Sequence, residues 1–134
     1  MLQAVRARSN ISTGSTLSCQ GMTPIRTIKE SGLDSGIALV FCPHTTAAVT
    51  LTENTDPLVG EDLLREMEDA FPHHDDFKHI EGNSHAYMRS CNMGVYLPII
   101  IDENWPLLGI WQNIFFVEYD GPRERKYYVK LISC

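Results

Sequence analysis

The chain has 134 residues, the length of one ordinary domain, and 43% of them are hydrophobic, enough for a packed core. A net charge of −6 and an isoelectric point near 5.2 argue against a general nucleic-acid binder, which needs a basic surface to displace counterions. No apolar run approaches the roughly 20 residues of a membrane span, and residues 1–8 lack the apolar stretch of a secretory signal. The expectation is a cytoplasmic protein with neither nucleic acid nor membrane as partner, folded as a single domain over residues 1–134.

Residues 2–9 alternate weakly and read as an opening strand. Thr23 to Gly32 predicts a short helix, with Thr23 as cap, Pro24 in the first turn and Gly32 at the stop. Residues 36–42, rich in Ile, Leu, Val and Phe, predict a buried strand. Ala47, Val49 and Leu51 alternate with Ala48, Thr50 and Thr52, so a second strand follows. Asp56-Pro57 opens a helix of about four turns whose apolar stripe is Leu63, Leu64, Met67, Ala70 and Phe71. Pro72 ends it. Residues 72–83 form a polar loop, and Asn83 or Ser84 caps a third helix that stops at Gly94. Strands follow at 95–101, 113–119 and 125–132, the last two expected as a hairpin around Asp120-Gly121-Pro122. Strands interleaved with three helices in so short a chain give an α+β fold.

The four cysteines, at 19, 42, 91 and 134, form no Cys-x-x-Cys pair, so a zinc knuckle is not expected. Cys42 and Cys91 read as small core residues. Arg123, Arg125 and Lys126 are the one basic cluster and read as a solvated strand edge rather than a phosphate site.

Chemistry concentrates where the buried strand gives way to the second helix. His44-Thr45-Thr46-Ala47-Ala48 and Glu53-Asn54-Thr55-Asp56-Pro57 put an imidazole and two carboxylates within thirteen residues. Such groups move protons or hold metals near neutral pH. Asp56 is accounted for as a helix cap, whereas Glu53 has no local structural reason and is a candidate general base. His73 and His74 read as exposed loop residues. His44, His79 and His85 sit near element ends and are a candidate ligand set for a divalent metal, zinc or magnesium, although no short His-x-x-x-His spacing supports it. Trp111 and Gln112 offer an aromatic wall and an amide. A core tryptophan is the plainer expectation. The helix N-terminus at Asn83-Ser84 and the side chain of Arg89 are candidates for holding a phosphoryl group.

Five segments occur in order: the two above, then Glu81-Gly82-Asn83-Ser84-His85-Ala86, Leu108-Gly109-Ile110-Trp111-Gln112 and Glu118-Tyr119-Asp120-Gly121-Pro122-Arg123. Together they resemble the YjbQ family, also called the secondary thiamine-phosphate synthase enzyme family. The resemblance implies an α+β fold with a β-sandwich core and a homotrimer. It also implies a weak transferase activity joining a pyrimidine diphosphate to a thiazole phosphate, small phosphorylated metabolites. The alternative is a binding protein that holds a metal or small anionic metabolite and performs no chemistry. On this resemblance His44, Glu53 and Gln112 are the candidate catalytic residues, and Asn54, Asn83, Ser84, Arg89 and Trp111 the candidate substrate contacts. Three positions depart from the family pattern. Tyr87 stands where a histidine is usual, Ile110 where a threonine is, and Asn113 where a glycine is.

Overall fold

Among the described residues, the inward-facing rows of two antiparallel sheets pack against each other. The computed structural model describes residues 2–8, 15–19 and 22–134. Its elements are β1 (Leu2–Arg8), β2 (Thr16–Cys19), α1 (Met22–Ser31), β3 (Gly36–Phe41), β4 (Ala47–Glu53), α2 (Pro57–Ala70), α3 (Ser84–Met93), β5 (Tyr96–Asp102), β6 (Trp105–Pro106), β7 (Gln112–Glu118) and β8 (Glu124–Ser133). A five-stranded sheet has the order β1-β8-β3-β5-β6, and a three-stranded sheet the order β2-β7-β4. All the pairings are antiparallel.

The period-2 alternation read along the strands fixes which face is core. Ala38 and Val40 of β3, Ile99 and Ile101 of β5, and Tyr127, Val129 and Leu131 of β8 meet Val49 of β4 and Ile114 and Phe116 of β7. Ile28 of α1 joins them. The other face of the small sheet offers Ala48, Val117 and Tyr119 to Met67 of α2 and Ala86 of α3, so this sheet is covered on both sides. Burying side chains of this size contributes about 1.5–3 kcal/mol each before entropy is counted.

Several local expectations hold with their reasons. Asp56 accepts the Leu58 N–H at 2.9 Å, and Pro57 starts α2. Gly32 and Gly94 end α1 and α3 with φ of 68° and 103°, values a side chain would resist. Others change. Helix α1 begins at Met22, so Thr23 lies inside it, where its carbonyl accepts the Thr27 hydroxyl at 2.9 Å. Ala70 is exposed and leaves the apolar stripe of α2. Cys91 is exposed rather than packed, while Cys42 is buried as expected.

The largest correction concerns the expected hairpin of the last two strands. β7 is taken on both edges by β2 and β4, so β8 cannot pair with it and joins the other sheet between β1 and β3. The 119–123 segment therefore carries the chain from one layer to the other. Short β2 was not anticipated, and neither was β6, which folds back on β5 through Glu103 and Asn104, both at positive φ. The final residue of the expected opening strand, Ser9, lies outside the described residues, as does the side chain of Cys19.

Candidate functional site

Strand β4 separates the candidate residues into two groups. At its end, Glu53 is the register partner of Gln112 across β7. The next residue, Asn54, donates its backbone N–H to the Trp111 carbonyl at 3.0 Å. Thus Glu53, Asn54, Trp111 and Gln112 gather at one edge. Trp111 is 64% exposed and Gln112 is exposed, which corrects the expectation of a core tryptophan. The Gln112 side-chain oxygen accepts the Gly109 N–H at 2.8 Å, so the amide also builds its own turn.

His44 lies beyond the opposite end of β4. Seven residues in extended conformation put about 20 Å between these ends, so His44 and Glu53 do not share a pocket within one chain. The Nε2 of His44 accepts the Lys126 backbone N–H at 3.0 Å. Burial and then the nearby Arg125 guanidinium hold its pKa below the usual 6.5. A neutral imidazole whose Nε2 accepts a bond carries its proton on Nδ1 and has no second lone pair for a metal.

Beside His44 runs a buried polar network. Arg125 donates from Nε to Glu118 Oε2 at 2.6 Å and from Nη2 to Glu118 Oε1 at 2.7 Å. It also donates to Thr46 Oγ1 at 2.7 Å. The paired side chains are 9% and 1% exposed, so Arg125 is not the solvated edge residue expected from sequence. Glu118 further accepts the Asp120 N–H at 2.8 Å. Asp120 in turn pairs with Arg123 at 2.9 Å and accepts the Asn83 side-chain amide at 3.0 Å. The sequence signal for this network was a carboxylate closing an apolar run, Ile114 to Val117, with an arginine seven residues on.

Asn83 brings α3 into the same region. Its amide is turned to Asp120 and makes no cap bond to its own helix. The first-turn N–H groups of Ser84 and His85 have no intrahelical acceptors by position. Asn83 Oδ1, His85 Nδ1 and the Tyr119 hydroxyl are buried with no hydrogen-bond partner. Burial raises the Tyr119 pKa to about 12 and lowers that of His85. The His73 ring meets His85 edge-on at 5.4 Å, and the His79 ring meets Tyr87 in the same way at 5.4 Å.

Arg89 has a different task from the one expected of it. Its Nε and Nη2 donate to the Phe71 carbonyl at 3.1 and 2.9 Å, capping the end of α2 from a side chain that is almost fully buried. It is held by internal partners and is not offered to a ligand. The three-histidine metal set is not assembled either. Among the described residues no three His, Cys, Asp or Glu side chains converge to hold a metal ion, and the Nε2 of His44 is already engaged.

Residues 11–134 match the family described as UPF0047 protein YjbQ-like. A UPF0047 protein of Methanocaldococcus jannaschii is 47% identical over 109 residues, 81% of this chain and 79% of that protein. The UPF0047 protein YugU of Bacillus subtilis is 43% identical over 107 residues, 79% of this chain and 81% of that one. The crystal structure of an uncharacterized conserved YjbQ/UPF0047 protein from Clostridium acetobutylicum superposes with a TM-score of 0.92 at 42% identity, covering 97% of this chain and 99% of its own. A protein from Sulfolobus solfataricus gives a TM-score of 0.93 at 27% identity, covering 100% and 97%. With the motifs, the fold and the relatives in agreement, this chain belongs to the UPF0047 (YjbQ-like) family.

Proposed function

We propose that the protein is a small-molecule enzyme that engages a phosphorylated metabolite at the N-terminus of α3. The observation that carries this reading is the open first turn of that helix. Its cap residue, Asn83, is diverted to Asp120, and His85 beside it has a buried nitrogen without a partner. Unpaired first-turn N–H groups, those of Ser84 and His85, and the positive end of the helix dipole favour phosphate oxygens. Asn83 Oδ1 is an acceptor, so the fitting ligand also offers a hydroxyl or amine donor.

The specific reaction we propose is the one that the sequence resemblance implies, a weak thiamine-phosphate synthase activity. In it the carbon–oxygen bond of a pyrimidine diphosphate breaks and the electron pair leaves with diphosphate. The thiazole nitrogen forms the new carbon–nitrogen bond. The role of the α3 turn is to stabilise charge on the departing diphosphate.

A homotrimer is part of the proposal. The number three comes from the sequence resemblance, and what supports association is the outer face of the large sheet, where three rows cross β8, β3 and β5. They are Ile132–Ile37–Ile100, Lys130–Leu39–Pro98 and Tyr128–Phe41–Tyr96. Eight of those nine residues are apolar or aromatic, and Ile100 and Tyr96 are 59% and 67% exposed. Patches of that kind mark association surfaces. Assembly also offers a route by which His44 of one subunit approaches Glu53 of another.

The distance between His44 and Glu53 along β4 favours a second reading, a binding protein without turnover. The separating experiment measures thiamine phosphate formation alongside a phosphorus NMR titration with inorganic diphosphate. Turnover lost in Asn83→Ala and His85→Ala supports the enzyme. Diphosphate binding without product supports the binding protein. Neither binding nor product defeats both.

A further inference from the structure

A cavity lies between α2 and the small sheet, with a volume of about 350 Å³. That is within the range of sites that enclose a metabolite-sized molecule. Its floor and walls are apolar, from Leu17, Leu64, Pro57 and Phe115. Its rim carries Glu53, Asp56 and Glu61, and no lysine, arginine or histidine is among the described residues that line it. Glu53 is half-buried and has no cationic partner among the described residues.

The positive end of α2 is the one feature here that would favour an anion, and it is already satisfied. Pro57 has no N–H, and the Leu58 and Val59 N–H groups are taken by the Asp56 side chain and carbonyl. A helix N-terminus amounts to about half a positive charge against three carboxylates, so the field in the cavity is negative. Arg89 reaches Ser15 on the cavity wall at 3.3 Å but is held by the Phe71 carbonyl. Buried Phe115 adds an aromatic wall, which also attracts a cation. At Gly60 the helix approaches the cavity wall so closely that a Cβ would come within 2.9 Å of Leu17 Cδ2.

We infer that this cavity binds a compact organic cation, an amine or amidinium carried on an apolar body, with Glu53 as its counter-ion. The chemistry is opposite in sign to the α3 turn, and the inference does not depend on that site.

Benzamidine is a suitable probe, with benzoate as its isosteric anion. Backbone NMR titrations at low salt are run on the intact protein. Benzamidine at millimolar concentration is expected to shift the amides of Leu17, Glu53, Asn54 and Gly60, and benzoate to leave them unmoved. Glu53→Gln is expected to weaken benzamidine at least tenfold and Glu61→Gln severalfold, with thermal melting unchanged. Shifts confined to other surfaces, equal binding of benzoate, or wild-type affinity in both variants would overturn the inference. Shifts at the α3 turn with inorganic diphosphate are read in the same spectra, so the two sites succeed or fail separately.

Discussion

Glu118 and Arg125 tie the two sheets together across the segment that switches layers. Their bonds of 2.6 and 2.7 Å join the last residue of β7 to the second residue of β8. A charge pair so deeply buried is held by mutual compensation, since either partner alone would be an uncompensated buried charge. It also sets the position of Thr46, and with it the turn that presents His44.

Arg125→Met is therefore expected to destabilise the protein by about 3–5 kcal/mol, because it strands the Glu118 carboxylate. Combining it with Glu118→Leu is expected to recover most of that loss. Urea unfolding of the two variants gives the comparison. A single variant as stable as wild type would mean that the carboxylate takes up another partner.

The two histidines with lowered pKa give the pH dependence its sign. His44 and His85 titrate below 6.5 when folded, chiefly because burial disfavours the charged ring. The unfolded chain then binds more protons in the acid range, so stability falls as pH drops below about 6.5 toward the folded values. Thermal melting between pH 8 and pH 5 is expected to show this fall. It should be smaller in the His44→Gln/His85→Gln double variant. An unchanged slope would assign the effect to other groups.

Light scattering is expected to give three times the 15.1 kDa chain mass. Ile100→Glu places a charge at the exposed β5 end of an apolar row and is expected to yield monomer without unfolding. A monomer mass for the wild-type chain over a range of concentrations would defeat the trimer.

Arg89 is expected to act on stability and not on ligand affinity. Arg89→Met removes both donors to the Phe71 carbonyl at the end of α2, at a cost of about 1–3 kcal/mol. Diphosphate affinity per folded molecule should be unaltered. A selective loss of affinity would return Arg89 to the ligand site.

Asp56→Ala is expected to cost about 1 kcal/mol and Asp56→Asn much less, since asparagine also caps. Chemical unfolding of the two variants tests the order.

The sequence by itself determined the elements whose causes are local. The Asp56-Pro57 start of α2, the glycine stops of α1 and α3 and the period-2 strands each follow from bonds or dihedral limits within a few residues. Five ordered motifs also carried the family. The tertiary structure decided everything that depends on which strand edge is free. β7 had no edge left for β8, so the expected hairpin became a crossing between sheets. That crossing buried Arg125 against Glu118 and turned Asn83 away from its own helix toward Asp120. The separation of His44 from Glu53, by contrast, follows from β4 itself, a strand already legible in the alternation of Ala47, Val49 and Leu51. Alternation along one strand is a local signal, but which edge of that strand is free is settled only when the whole sheet is assembled.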